Sequence, residues 1–266
     1  MFQIVLILYY FLTHFAFLQT NYQYVGELNL PGEKYYSDAM GNVYIITGNR
    51  IQKFNSKLVK LSDYSNAFLG NITSTDVSDP LRILLYFKEF NQILWLDNFL
   101  VEMRSAIRLD DLGLDQTEAI CSSAQGGFWV YNTLDQKLQY FDVNLNLLQE
   151  SIHLGSLLSD LVPASMLEKN RQIYLNVPGA GILVFDRFGT YSKTLPIHPD
   201  KEFQITDNNC FYFRDQSFYK YDLVTYDETE IQLPQTSGIL SVMIQPEYLY
   251  LVKKGSLLIY KWSYFK

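Results

Sequence analysis

YYSDAMGNVYIITGNRIQKFNSKLVKL, residues 35–61, is four short apolar-rich runs separated by tight-turn signals. The runs are Tyr35 to Ala39, Val43 to Thr47, Arg50 to Phe54 and Lys57 to Leu61. Gly48-Asn49 and Asn55-Ser56 are residues that bend a chain back on itself. Aromatic and β-branched side chains suit a pleated surface. The stretch therefore predicts four antiparallel strands joined by hairpins.

The rest of the chain repeats this unit. The third run ends on an apolar residue, two variable ones, an aromatic, then Asn or Asp. Ile51-Gln52-Lys53-Phe54-Asn55 recurs as Leu138-Gln139-Tyr140-Phe141-Asp142, Ile182-Leu183-Val184-Phe185-Asp186 and Phe218-Tyr219-Lys220-Tyr221-Asp222. Leu257 to Lys261 keeps the aromatic without the Asp, and Leu100 to Arg104 keeps neither. The aromatic suits packing between neighbouring sheets. The Asp or Asn suits capping of the next turn through backbone N–H groups. The period is about 40 residues, a length that signals stacked units or a propeller.

Six units fit the length. The second follows a polar link, Ser62 to Pro80, and holds Leu81 to Phe87, Gln92 to Leu96, Phe99 to Met103 and Ala106 to Leu109. The third runs from Ala119 to Ile152, the fourth from Ala164 to Leu195, and the fifth from Glu202 to Leu233. The sixth, Ile239 to Trp262, has only three strands. Tyr24 to Leu30, ahead of the first unit, is a lone strand. Joined to the sixth unit, it completes a ring and removes two exposed sheet edges. The expected fold is all-β: a six-bladed β-propeller closed by an N-terminal strand in the last blade. Helical signal is confined to a turn or two at Gly155 to Leu161 and Thr75 to Asp79.

Aromatic residues make up 16% of the 266, which favours sheet over helix. The net charge is −7 with no Lys/Arg cluster. A nucleic-acid partner needs a basic face to neutralise phosphates, so such a partner is disfavoured and none is expected. Phe2 to Leu18 is almost wholly apolar and carries no Asp, Glu, Lys or Arg. It reads as a secretory signal peptide. The alternative is a retained anchor, because about 17 residues is the lower limit for spanning a bilayer. No positive charge precedes the run, and Leu18-Gln19-Thr20 lacks a small-x-small cleavage pattern. The domain reading is residues 1–20 as signal peptide or anchor and 21–266 as propeller. The expected location is extracytoplasmic: periplasmic, cell-surface or secreted. Cys121 and Cys210 fall in non-adjacent units and read as buried apolar side chains.

Asp38-Ala39-Met40-Gly41-Asn42-Val43-Tyr44 resembles the D-x-x-G-N-x-Y run of six-bladed propellers of the NHL type and their exported bacterial relatives. Thr206-Asp207-Asn208-Asn209-Cys210-Phe211-Tyr212 matches it loosely. The resemblance implies a fold more than a function, because such families include scaffolds, binders and enzymes.

Motifs for nucleophilic, phosphate-binding or zinc chemistry are absent: no G-x-S-x-G, C-x-x-C, H-E-x-x-H or P-loop. His153 and His198 are the only histidines beyond the leader, and His198 reads as a solvated loop residue. Asp110, Asp111, Asp115 and Glu118 form an acidic link whose spacing matches no calcium loop. No metal or cofactor is expected. The inner strands offer Asp38, Ser122, Ser165, Thr206 and Ser241 as candidate ligand-binding residues, with one carboxylate among them. Three or more carboxylates converging on the funnel would favour an enzyme. Trp95, Trp129 and Tyr131 read as packing between blades, with a role as binding anchors as the alternative. The expected function is a non-catalytic exported scaffold binding a protein partner or extracytoplasmic ligand through its funnel-side loops. The alternative is a hydrolase or lyase acting on a sugar or peptidoglycan fragment. A membrane contact is expected only if the leader is retained.

Overall fold

The strands of this chain are buried on both faces where they lie mid-sheet, so they read as continuous apolar runs. VYIIT and FWVYN are examples, each with four or five buried residues. Such strands need a sheet packed on either side. The computed structural model supplies that with six four-stranded antiparallel sheets around a central axis, and it describes residues 22–158, 162–200 and 202–262. The leader lies outside the described residues.

The chain enters through β1 (Gln23–Leu28). Blade 1 is β2 (Lys34–Ser37), β3 (Val43–Thr47), β4 (Arg50–Phe54) and β5 (Lys60–Ser65). Blade 2 is β6 (Ser74–Asp76), β7 (Ile83–Phe87), β8 (Gln92–Leu96) and β9 (Ile107–Arg108). Blade 3 is β10 (Thr117–Ser122), β11 (Phe128–Asn132), β12 (Lys137–Phe141) and β13 (Leu147–Glu150). Helix α1 (Gly155–Leu158) precedes blade 4, which is β14 (Ser165–Lys169), β15 (Gln172–Val177), β16 (Gly181–Asp186) and β17 (Tyr191–Leu195). Blade 5 is β18 (Phe203–Thr206), β19 (Asn209–Arg214), β20 (Ser217–Asp222) and β21 (Glu228–Ile231). Blade 6 takes β22 (Ile239–Ile244), β23 (Tyr248–Lys253) and β24 (Ser256–Lys261) from the C-terminus.

Its fourth strand is β1, antiparallel to β24 with Gln23 opposite Lys261 and Leu28 opposite Leu257. Each pair of adjacent blades also shares one apolar cluster, giving six clusters for six interfaces. The cluster between blades 6 and 1 joins Val43, Ile45 and Phe54 to Tyr250, Leu257 and Ile259. The ring is closed both by strand pairing and by core.

Four expectations shift. The inner strand of blade 2 is β6, inside the stretch read as a polar link and a helical turn. Its Ser74, Thr75 and Asp76 pair with Tyr86, Leu85 and Leu84. They line the central channel, so the strand shows no apolar alternation. Phe99 to Met103 is not a strand. Asp97 caps a turn there through Phe99 N and Val101 N, and only a Leu96–Glu102 bridge follows. The third-strand repeat of blade 2 is therefore Ile93 to Asp97, not Leu100 to Arg104. Blade 1's outer strand starts at Lys60 instead of Lys57, because the turn capped by Asn55 consumes residues through Val59.

The capping residues behave alike around the ring. Asn55, Asp97, Asp142 and Asp186 each accept from backbone N–H groups two and four residues on. The residue three positions after the cap takes positive φ: Leu58, Leu100, Leu145 and Gly189. Because strands alternate in direction, first-to-second and third-to-fourth strand turns share one side, the turn face. The links between blades share the other, the link face, with the second-to-third strand turns.

Candidate functional site: the central channel

Inner strands of all six blades line a central cavity of about 570 Å³. Its link-face mouth carries Lys34, Lys88, Glu118, Asp200 and Glu202, and its turn-face end carries Asp38, Ser78, Thr206 and Gln245. Ser165 lies toward the link face and Thr206 toward the turn face, where both border the cavity. Ser122 and Ser241 do not border it. The five candidate residues therefore do not converge on one level.

Asp38 is 1% exposed, and the D-x-x-G-N-x-Y run explains why. Its Oδ1 accepts from Met40 N and Asn42 N, both at 2.9 Å, and its Oδ2 accepts from Asn42 Nδ2 and Tyr44 Oη, both at 2.8 Å. Gly41 takes the φ of +78° that closes this turn. The run is a self-contained turn cap. Burial pushes the Tyr44 phenol well up, and the Asp38 charge adds to the push. Lys53 lies over the Tyr44 ring at 5.3 Å and donates to Asn98 O at 2.9 Å. The loose copy in blade 5 has Thr206 in place of Asp. There Tyr212 donates instead to Glu228, and the Thr206 hydroxyl is buried with no protein partner.

Six carboxylates line the cavity, against the single one counted on the sequence: Asp38, Asp76, Glu118, Glu168, Asp200 and Glu202. Asp76 was missed because β6 was read as a link. Glu118 was counted in the acidic link, and Glu168 and Glu202 were passed over. Asp76, Glu118 and Glu168 lie on the correctly bounded inner strands, whereas Asp38, Asp200 and Glu202 lie in the residues that flank them. Among the described residues, no three His, Cys, Asp or Glu side chains are placed to share a metal ion.

Asp76 and Glu168 hold blades together, as do several uncharged groups and Lys34. Asp76 Oδ2 accepts from the Ser122 backbone at 2.9 Å and hydroxyl at 2.7 Å, joining blades 2 and 3. Glu168 accepts from Trp129 Nε1 at 3.0 Å and Ala124 N at 3.3 Å, joining blades 3 and 4. Asn170 Nδ2 donates to Asp207 O between blades 4 and 5. Gln204 exchanges two hydrogen bonds with the Ile244 backbone between blades 5 and 6. Gln245 donates to Ser37 between blades 6 and 1, and Lys34 donates to Thr73 O between blades 1 and 2. Every interface thus has a polar latch near the axis.

At the mouth, Lys88 and Glu118 pair at 2.6 Å. Burial pushes the Tyr36 phenol well up. The Glu202 charge adds to this, a hydrogen bond with the Thr75 backbone opposes it, and the Asp76 charge adds a smaller push. Tyr36 is therefore a neutral hydrogen-bonding group at physiological pH. Trp95, Trp129 and Tyr131 are buried in blade interfaces. His198 is exposed, and His153 accepts from Gly155 N at the start of α1. Cys121 and Cys210 are buried and free, in blades 3 and 5.

No family model matches the sequence, and no curated protein matches it. Solved structures match along nearly the whole chain. The Neurospora crassa Pan2 WD40 domain is 10% identical with a TM-score of 0.61, covering 92% of this chain and 96% of that one. Virginiamycin B lyase from Staphylococcus aureus is 11% identical with a TM-score of 0.62, covering 91% and 99%. BamB from Moraxella catarrhalis is 8% identical with a TM-score of 0.56, covering 92% and 99%. Similarity at this level is similarity of fold, and the chain is a six-bladed β-propeller.

Proposed function

We infer that the chain is an exported, non-catalytic propeller that binds a protein partner or an extracytoplasmic ligand at its link face and channel mouth. It resembles the NHL-type propellers and their exported relatives in its D-x-x-G-N-x-Y turn, and residues 1–20 act as leader or anchor. The observation that carries this reading is the commitment of the channel's polar groups to latches and turns. Asp38 and Asp76 are occupied by the fold, as is Ser122. What the mouth presents to a partner is the Lys88–Glu118 ion pair and Asp200, with exposed Phe68 and Phe90 on link-face loops. Mixed charge around exposed aromatics suits a protein surface. Of the five candidate residues, Ser165 and Thr206 are assigned to ligand contact, because they border the cavity.

A second reading has one observation in its favour: six carboxylates line the cavity. It is a hydrolase or lyase acting on a sugar or peptidoglycan fragment. Envelope pull-down with the full chain and with Phe68→Asp/Lys88→Glu separates the two. Binding predicts a partner recovered by the parent chain and lost by the variant. Recovery of nothing, together with turnover in a glycan screen, would refute it.

A further inference from the structure

Strand β1 runs from the turn face toward the link face, because Gln23 lies opposite Lys261, where β24 reaches the turn face. The chain therefore enters the ring on the turn face. There Tyr22 donates from Oη to Gln232 O at 2.7 Å, and its ring stacks on Trp262 at 6.5 Å. The apolar run ends at Leu18, leaving Gln19, Thr20 and Asn21 as the only spacer. Three residues reach at most about 10 Å when fully extended. Whatever holds the apolar run thus lies within that distance of the turn face.

The same face presents apolar side chains at its turn tips. Met40, Leu81, Phe99, Val143, Phe188 and Val224 are each more than half exposed. They belong to turns of five different blades and form no groove. A scattered set of apolar tips on one face fits a flat occupant better than a peptide or helix. Exposed apolar residues stand in similar number on the link face, at Phe68, Phe90, Leu134, Ile152 and Leu240, so apolar exposure alone does not choose between the faces. What separates the two faces is where the leader attaches. Tyr24, 54% exposed, and the partly exposed Tyr22 stand at that point over the buried Tyr260 and Trp262, and exposed rings of this kind favour the headgroup region of a membrane. Acidic and basic residues are mixed on the turn face, so no anionic lipid is required.

We propose that the turn face lies against a zwitterionic lipid bilayer, tethered by a retained Phe2 to Leu18 segment, with its apolar turn tips seated among the headgroups. The link face and channel mouth then point away from the membrane. This rests on the anchor form of the leader and not on the identity of any link-face partner.

The test uses the full chain in phosphatidylcholine vesicles that contain brominated lipid. Single variants Phe99→Cys, Phe188→Cys and Val224→Cys carry an environment-sensitive fluorophore. Phe68→Cys, 92% exposed on the opposite face, is the control. Cys121 and Cys210 are buried and stay unlabelled in the folded chain. The expected result is a blue shift and loss of emission at the three tips, with neither at residue 68. Equal quenching at all four sites, or no quenching at the tips, overturns the proposal. Blue-shifted tips in a chain lacking residues 1–18, in buffer free of lipid and detergent, point to a second copy as occupant and overturn it too. So does an N-terminal mass showing that the mature chain starts beyond Leu18. A pull-down that succeeds alongside any of these leaves the binding reading intact.

Discussion

Replacing Asp38 with Ala separates a structural carboxylate from a ligand-binding one. Its four hydrogen bonds hold two turn amides, the Asn42 amide group and the Tyr44 hydroxyl, in a site that is 1% exposed. Hydrogen bonds to a charged group are worth about 1.5–3 kcal/mol each, partly offset by the cost of burying the charge. Removing one partner from such a buried set costs about 3–5 kcal/mol. Tyr44, fully buried, keeps a hydroxyl with nothing to donate to, and buried Lys53 loses a carboxylate whose field supports its charge. The expected loss is about 4 kcal/mol, a large share of the roughly 5–15 kcal/mol that holds a domain folded. Asp38→Asn keeps the acceptor for Met40 N and Asn42 N and should lose about half as much. Tyr44→Phe in the Asp38→Ala background removes the orphaned hydroxyl and should recover about 1–2 kcal/mol. Urea unfolding followed by circular dichroism and fluorescence measures all three. If Asp38→Ala unfolds within about 1 kcal/mol of the parent, or Tyr44→Phe shows no coupling, the turn-cap account fails.

Other perturbations probe the rest of the ring. Trp262→Ala removes a ring that stacks on Tyr22, packs against Phe211 and donates to Gln245 O, and should cost about 4 kcal/mol by thermal or urea melt. Gly127→Ala would place a Cβ 2.0 Å from the Phe141 carbonyl oxygen, so a loss of about 3 kcal/mol or more is expected. Gly113 also has positive φ but faces open space, so Gly113→Ala should lose only about 1 kcal/mol. Burial first, and then the Cys210 charge, pushes the Tyr174 phenol up to about 12. A phenol raised in the folded state gives stability that is complete below its ordinary value near 10 and lost as pH rises through about 12. Unfolding free energy should therefore hold to about pH 10 and fall by up to about 3 kcal/mol between 10 and 12 for this group, read as a falling melting temperature. A Tyr174→Phe variant that loses as much stability between pH 10 and 12 as the parent would contradict this.

The ring was legible in the sequence because its turns announce themselves. Asn55, Asp142, Asp186 and Asp222 each follow an aromatic, and each caps the turn that its position predicts. The strand count at the two ends gave closure. Blade 2 was misread because Asp97 follows Leu96 instead of an aromatic, and because β6 is a three-residue polar strand. Its side chains face a channel instead of a core, and no hydrophobic period reports that. The site was less legible for the same reason. Channel-facing polar residues look like any exposed polar residues until the inner strands are placed. Asp38 is the sharper lesson: it borders the channel, yet its spacing to Gly41, Asn42 and Tyr44 already encoded a closed hydrogen-bond set.

The closure of the ring by its own N-terminal strand is tested most directly by a covalent bond across it. Tyr24 and Tyr260 are partners in the β1–β24 ladder, with rings 5.5 Å apart. Directly opposed residues in such a ladder have Cα atoms roughly 4.5–5.5 Å apart, within reach of a disulfide. Under mild oxidation, Tyr24→Cys/Tyr260→Cys should form that disulfide nearly completely, read by mass as the loss of both thiol hydrogens. Two thiols that stay reduced in the folded protein would show that the ends do not meet, and the closed six-bladed ring would be wrong.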